Sequence, residues 1–120
     1  MIHGDGSSTR DFTYIDNIIQ INHRAALTEN SAAIGQVFNA AVGDRYDLNT
    51  LVQYLKDYLA EFDPEISNIK INYGPYRKGD IPHSLASIKK AENFLGYKPL
   101  FTLKDGLKLA VKWYWENLCH

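Results

Sequence analysis

Arg10 stands in the run Gly4-Asp5-Gly6-Ser7-Ser8-Thr9-Arg10-Asp11-Phe12, among small polar residues and downstream of two glycines. Glycine lets the backbone turn tightly, and the guanidinium presents a planar fork of five donors that suits phosphate. The same spacing also fits a hairpin turn at Gly4-Asp5-Gly6 with Arg10 as a solvated charge at a strand edge. A second run, Gly74-Pro75-Tyr76-Arg77-Lys78-Gly79-Asp80-Ile81-Pro82-His83, sets Arg77 and Asp80 three apart with Gly79 between them. That pattern suits an anion and a sugar hydroxyl bound together, and it also suits a surface turn closed by an ion pair. The two loops carry more weight jointly than singly. Each offers one arginine beside a backbone-freeing glycine, so the pair can clamp a pyrophosphate from two sides. With 13 basic against 14 acidic residues and a net charge of −1, these arginines are not the by-product of a basic protein.

The other candidates have weaker claims. His83 and Ser84 are adjacent, but no acid lies at a spacing that makes a triad obvious, and a hydrogen-bonded loop histidine is the expected role. His3, His23 and His120 show no metal-ligand spacing with Cys119. Trp113 and Trp115, and the tyrosines at 54, 58 and 114, fall at helical positions and read as packing residues. No catalytic residue is assigned.

The elements that must hold these loops follow from periodicity. Arg10 to Ile15 alternates like a short strand. Asp16 or its neighbour then opens a helix with Ile15, Ile18, Ile19 and Ala25 or Ala26 on one face. Val37 to Ala41, closed by Gly43, reads as a strand buried on both faces of a parallel sheet. Asp47 is placed to cap a helix whose stripe is Leu48, Leu51, Leu55, Leu59 and Phe62, and Pro64 closes it. Ile69 to Tyr73 alternates as a half-exposed strand. Ser87 is expected to cap a short helix that stops at Gly96 in the left-handed region. Thr102 and Asp105 form a three-apart capping pair for a last helix with Leu103, Leu107, Val111 and Tyr114. The fold class is α/β in a single unit, with short strands and about four helices.

Composition excludes several function classes. No basic patch offers a sequence-independent grip on nucleic acid, and no apolar run approaches membrane-spanning length. The single cysteine, Cys119, cannot form an internal disulfide, which fits a reducing cytoplasm.

Gly4-Asp5-Gly6-x-x-x-Arg10-Asp11-Phe12-x-Tyr14-Ile15-Asp16, then Val37-Phe38-Asn39, then Arg77-x-Gly79-Asp80-Ile81-x-His83-Ser84, occur in one order and spacing. With Tyr97-x-Pro99 and the Gly106-containing last helix, they resemble the C-terminal third of the extended short-chain dehydrogenase/reductases that epimerise nucleotide sugars at C4, of the UDP-glucose or UDP-N-acetylglucosamine type. The resemblance covers essentially the whole chain. Within that group, Ile81 to Ala86 looks most like enzymes of UDP-N-acetylhexosamines and their uronic acids. The resemblance implies the C-terminal part of an extended Rossmann-like fold. It further implies a UDP-sugar partner with Arg10 on the diphosphate, Phe12 lining the nucleotide site, and Arg77 and Asp80 on phosphate and ribose. In the complete enzyme NAD would oxidise the C4 hydroxyl, and the keto sugar would turn over before hydride returns.

The family's Gly-x-x-Gly-x-x-Gly loop for NAD is not in these 120 residues, and no tyrosine has a lysine four positions on. Residues 1–120 are therefore expected to form a substrate-binding region without its NAD-binding domain, binding no NAD and catalysing nothing alone. An apolar strand separated from its neighbours predicts self-association through an exposed sheet edge. A stand-alone binding module, or a piece of a nucleotide-sugar dehydratase or uronate epimerase, fits the same residues.

Overall fold

In the computed structural model the described residues, 1–118, run in the order β-β-α-β-α-β-α-α. Cys119 and His120 lie outside them. The strands are two-residue pieces: β1 (Ile2–His3), β2 (Thr9–Arg10), β3 (Tyr46–Asp47) and β4 (Tyr73–Gly74). β1 runs parallel to β4, with Ile2 beside Tyr73, and β2 runs antiparallel to β3, with Arg10 beside Tyr46. The helices are α1 (Ile15–Ala26), α2 (Leu48–Ala60), α3 (Lys89–Leu95) and α4 (Leu103–Leu118). Short 3-10 turns lie at Ser31–Ala33 and Pro64–Asn68.

Several ends follow their sequence signals. The Asp47 carboxylate accepts from the Thr50 N–H at 2.6 Å, and Gly96 ends α3 at φ 62°. Before α4 the Asp105 carboxylate accepts from Thr102 N and Oγ1, and Asp105 N donates back to Thr102 Oγ1.

Other expectations are corrected. The strand expected over Arg10 to Ile15 stops at Arg10, because Asp11 turns aside to accept from the N–H groups of Val42 and Gly43. Val37 to Ala41 joins no ladder among the described residues. Side chains take its end carbonyls instead, Lys90 on Val37 and Tyr97 on Ala41. Of Ile69 to Tyr73 only Tyr73 pairs, because the parallel register sets it beside Ile2 and runs on from there to His3 and Gly74. Ser87 caps nothing: residue 88 precedes α3 without a side-chain cap, and the Ser87 carbonyl accepts from Asn39. Pro64 opens a 3-10 turn capped by Asp63 rather than merely ending α2.

The core is small and lies to one side. Ile21, Ala33, Ala91, Leu95 and Tyr97 form it, with Phe38, Ile88 and Phe94 packed against them. On α1 the buried residues are Asn17 and Ile21, while Ile15 and Ile19 are 57% exposed, so the expected apolar stripe faces outward. Asn17 is fully buried. Its amide donates to Phe101 O at 2.8 Å and accepts from Leu100 N and Phe101 N, fastening the entry to α4 onto α1. α2 contains no fully buried residue. The molecule is a slab of 53 × 36 × 18 Å with a radius of gyration of 17.3 Å, against about 14 Å for a compact chain of this length. Its accessible surface is 8231 Å², where a compact protein of this mass shows about 6,600 Å².

Two residues near the core give measurable consequences. A Cβ on Gly106 of α4 would sit 2.6 Å from Tyr14 Cγ, and Tyr14 is held edge-on to Phe101. Alanine favours a helix interior by about 1 kcal/mol over glycine, but overpacking costs about 1–3 kcal/mol. Gly106→Ala is therefore expected to lower the urea midpoint, and a raised midpoint would show that Tyr14 yields freely. The Tyr97 hydroxyl donates to Ala41 O at 2.7 Å, and burial, with a smaller contribution from the Asp11 charge, pushes its pKa above the ordinary value. Below pH about 10 both folded and unfolded phenols hold their proton and the stabilisation is complete. Above it the unfolded phenol ionises first, so stability falls as pH rises through the folded pKa. Thermal melts in mildly and strongly alkaline buffer should show a steeper alkaline loss for the parent protein than for Tyr97→Phe.

Candidate functional site

The two arginine loops meet because both ladders join them. β1 and β4 bring Gly4 beside Gly74, whose carbonyl accepts from Gly4 N at 2.9 Å. Further along, Thr9 bridges in parallel to His83, with Thr9 N donating to Pro82 O and Ser84 N to Thr9 O. His83 is the satisfied loop histidine expected, its Nδ1 3.0 Å from Thr9 Oγ1.

Between these ties opens a cleft of about 460 Å³ whose lining includes Ile2, Ser8, Arg10, Leu48, Arg77 and Asp80. Arg10 is half-buried and anchored, donating from Nη1 to Thr9 O at 2.8 Å. Arg77 is 65% exposed and stands 4.0 Å from the Asp80 carboxylate, and Asp80 N donates to Arg77 O. The turn with an ion pair is thus real, and it faces the same cleft as Arg10. Phe12 is not brought there. It lines a separate apolar recess with Tyr14, Leu51, Leu103, Gly106 and Leu107, because the chain leaves the strand at Arg10 and no longer alternates.

The Gly4-Asp5-Gly6 loop is docked on the start of α2. Leu48 N donates to Ser8 O, Asn49 N to Gly6 O, and the Asn49 amide to Asp5 O. Asn49 Oδ1 in turn accepts from the Tyr73 hydroxyl at 2.8 Å. Gly6 is required here, since a Cβ would run into the Asn49 amide. Asp5 accepts from both the N–H and the hydroxyl of Ser7, and these bonds, with one from the Tyr76 hydroxyl, hold its carboxyl below the ordinary carboxylate range. The same bond to Asp5 raises the Tyr76 phenol. Sequence reasoning passed over Asp5, Tyr76 and Asn49. The Asp5-x-Ser7 spacing is the one available signal, that of an Asx turn.

Chemically, the cleft offers two guanidinium groups, the Asp80 carboxylate and the His3 imidazole, whose Nδ1 lies 3.2 Å from the Pro75 carbonyl. The two guanidinium groups suit it to a phosphorylated ligand. The N–H groups at the start of α2 do not add to it, because Ser8, Gly6 and Asp47 already occupy them.

Short strands alternating with helices are the architecture this chain shares with solved epimerases of the extended Rossmann-like short-chain dehydrogenase/reductase fold. Over nearly all its length the chain is similar to UDP-sugar 4-epimerases of that fold. A putative UDP-glucose 4-epimerase of Methanocaldococcus jannaschii is 32% identical over 117 residues, 98% of this chain and 34% of that protein. A probable UDP-glucuronate 4-epimerase of Rhizobium meliloti is 30% identical, over 97% of this chain and 37% of that protein. Among solved structures, the UDP-N-acetylglucosamine 4-epimerase of Methanobrevibacter ruminantium in complex with UDP-N-acetylmuramic acid superposes with a TM-score of 0.82 at 31% identity. That match covers 98% of this chain and 34% of the other. The chain thus spans about a third of the length of these relatives. No protein-family profile matches it.

The residues present do not fit the NAD that the resemblance implies for a complete enzyme. β1 leads through its glycines to another strand instead of a helix, and the start of α2 has its donors engaged.

Among the described residues no helix is long and apolar enough to cross a membrane.

Proposed function

We propose that this chain is the UDP-binding portion of a UDP-sugar 4-epimerase and does not itself epimerise. The observation that carries the reading is the single cleft lined by Arg10, Arg77 and Asp80, on a fold shared with UDP-sugar 4-epimerases. In this reading Arg10 and Arg77 hold the diphosphate and Asp80 takes a ribose hydroxyl. Binding energy is then placed on the nucleotide, away from the reacting carbon, which leaves the sugar free to turn. The sugar stays open, because similar proteins carry glucose, glucuronate and N-acetylglucosamine in their names.

Titration calorimetry of UDP into the protein and into an Arg10→Ala, Arg77→Ala double variant tests this. Binding heats are expected from the first and not from the second. Equal heats would overturn the assignment.

A further inference from the structure

We propose that the hydrogen bond between Asn49 and Tyr73 is a strut joining the two walls of the cleft, which sets Arg10 at its working distance from Arg77 and makes Asn49 and Tyr73 positioning residues. The role rests on the UDP site proposed above; the geometry does not.

One wall of the cleft carries Ser8, Arg10, Leu48 and Val52, from β2 and the start of α2, and the other carries Ile2, Arg77 and Asp80, from β1 and the loop after β4. Asn49 follows Leu48 on the first wall, and Tyr73 pairs beside Ile2 on the second. Their side chains meet, with the Tyr73 hydroxyl donating to Asn49 Oδ1 at 2.8 Å. The amide that receives this bond can face only one way. Asp5 O is an acceptor, so it takes Asn49 Nδ2 at 3.0 Å and leaves Oδ1 for the phenol. Asn49 N donates to Gly6 O, and Gly6 has no Cβ to push the amide aside. Asn49 is thus clasped to the loop that leads to Arg10, while Tyr73 belongs to the strand that leads to Arg77.

Burial does not hold the Tyr73 ring in place, for it is 52% exposed; its hydroxyl is what reaches α2. Lys56 also joins α2 to the second wall, its Nζ donating to Ile69 O at 2.8 Å, but its flexible stem fixes no spacing. Elsewhere the walls are tied through Thr9 N on Pro82 O and Ser84 N on Thr9 O. The strut therefore governs how widely the cleft opens about that tie. A diphosphate held by two guanidinium groups is sensitive to the distance between them, whereas a single phosphate held by one is not.

Tyr73→Phe removes the donor of the strut and keeps the ring. One hydrogen bond corresponds to about a three- to tenfold change in an equilibrium. UDP affinity is expected to fall by about that factor, while UMP, whose one phosphate needs only one guanidinium, should bind as it binds the parent. The fall should vanish in Arg10→Ala and Arg77→Ala backgrounds, where no spacing is left to set, and in Asn49→Ala, where the strut is already gone. A loss shared by UMP and by every background would be merely structural and would overturn the proposal, as would unchanged UDP affinity. Amide hydrogen exchange followed by NMR decides the strut without ligand. The N–H groups of Gly4 and Asn49, bonded to Gly74 O and Gly6 O, should exchange faster by a similar factor in Tyr73→Phe, and the Gly96 N–H at the end of α3 should not. Unchanged exchange at both would overturn the strut. If the parent protein takes up no UDP at all, the proposed function fails, while the exchange arm still decides the strut.

Discussion

Asn17→Ala is expected to lower the stability of the protein by about 3 kcal/mol or more. Asn17 is wholly buried and serves three backbone groups, Leu100 N, Phe101 N and Phe101 O. Each buried group left without a partner costs about 1–3 kcal/mol, and truncation strands all three. The Leu100 side chain is 67% exposed, so water can reach part of the gap, and the lower half of the summed range applies. Against a total stability of about 5–15 kcal/mol this is a large share. Asn17→Asp keeps an acceptor for the two N–H groups but faces the Phe101 carbonyl without a donor, so its loss should lie between parent and alanine variant. Urea unfolding followed by circular dichroism gives the ordering. A loss under about 1 kcal/mol for Asn17→Ala would show that solvent replaces the amide.

The second large effect concerns the cleft, and its two arginines should not contribute equally. A charge-assisted bond to phosphate is worth about 1.5–3 kcal/mol, or roughly ten- to a hundredfold in affinity. Arg10 is half-buried and held by Thr9 O, so little ordering remains to be done on binding. Arg77 is 65% exposed and already faces Asp80, so solvent screening and a competing partner reduce its share. Arg10→Ala is expected to weaken UDP by about a factor within that range, and Arg77→Ala by less. Added salt should erode the Arg77 share first, as the more exposed charge. Uridine, which has no phosphate, should bind both variants as it binds the parent. Equal losses from the two arginines, or a matching loss for uridine, would remove the diphosphate from this cleft.

How much of this was legible beforehand depended on the range of the signals. Caps are local, so Asp47, Gly96 and the Thr102–Asp105 pair were read correctly from neighbours three residues away. Strand lengths are not local. The ladders are two residues long because β1 and β2 each end where a turn or an Asp11 bond begins, and alternation in the sequence carries no mark of that. Phe12 lies outside the Arg10–Arg77 cleft for this reason. Ser87 failed because a capping residue type does not guarantee a capping geometry. That Arg10, Arg77 and Asp80 come to one cleft was legible, since an arginine beside a glycine is an informative pair on a loop. Asn17 was not, because a polar residue on an amphipathic helix reads as solvent-facing, and its partners lie 83 and 84 residues away.

The slab leaves α2 with no fully buried side chain, while Ala91 and Tyr97 at the α3 corner are wholly enclosed. A shortened side chain on α2 opens a dent that water fills, rather than a sealed cavity whose walls lose their contacts. Substitutions there cost little more than the transfer of the lost methylenes. Over evolutionary time the two ends of this molecule are therefore under different regimes. The α2 surface can drift in sequence while its Asp47 cap and the loop docked on it persist, whereas the corner around Tyr97 can change only through coordinated exchange of several residues.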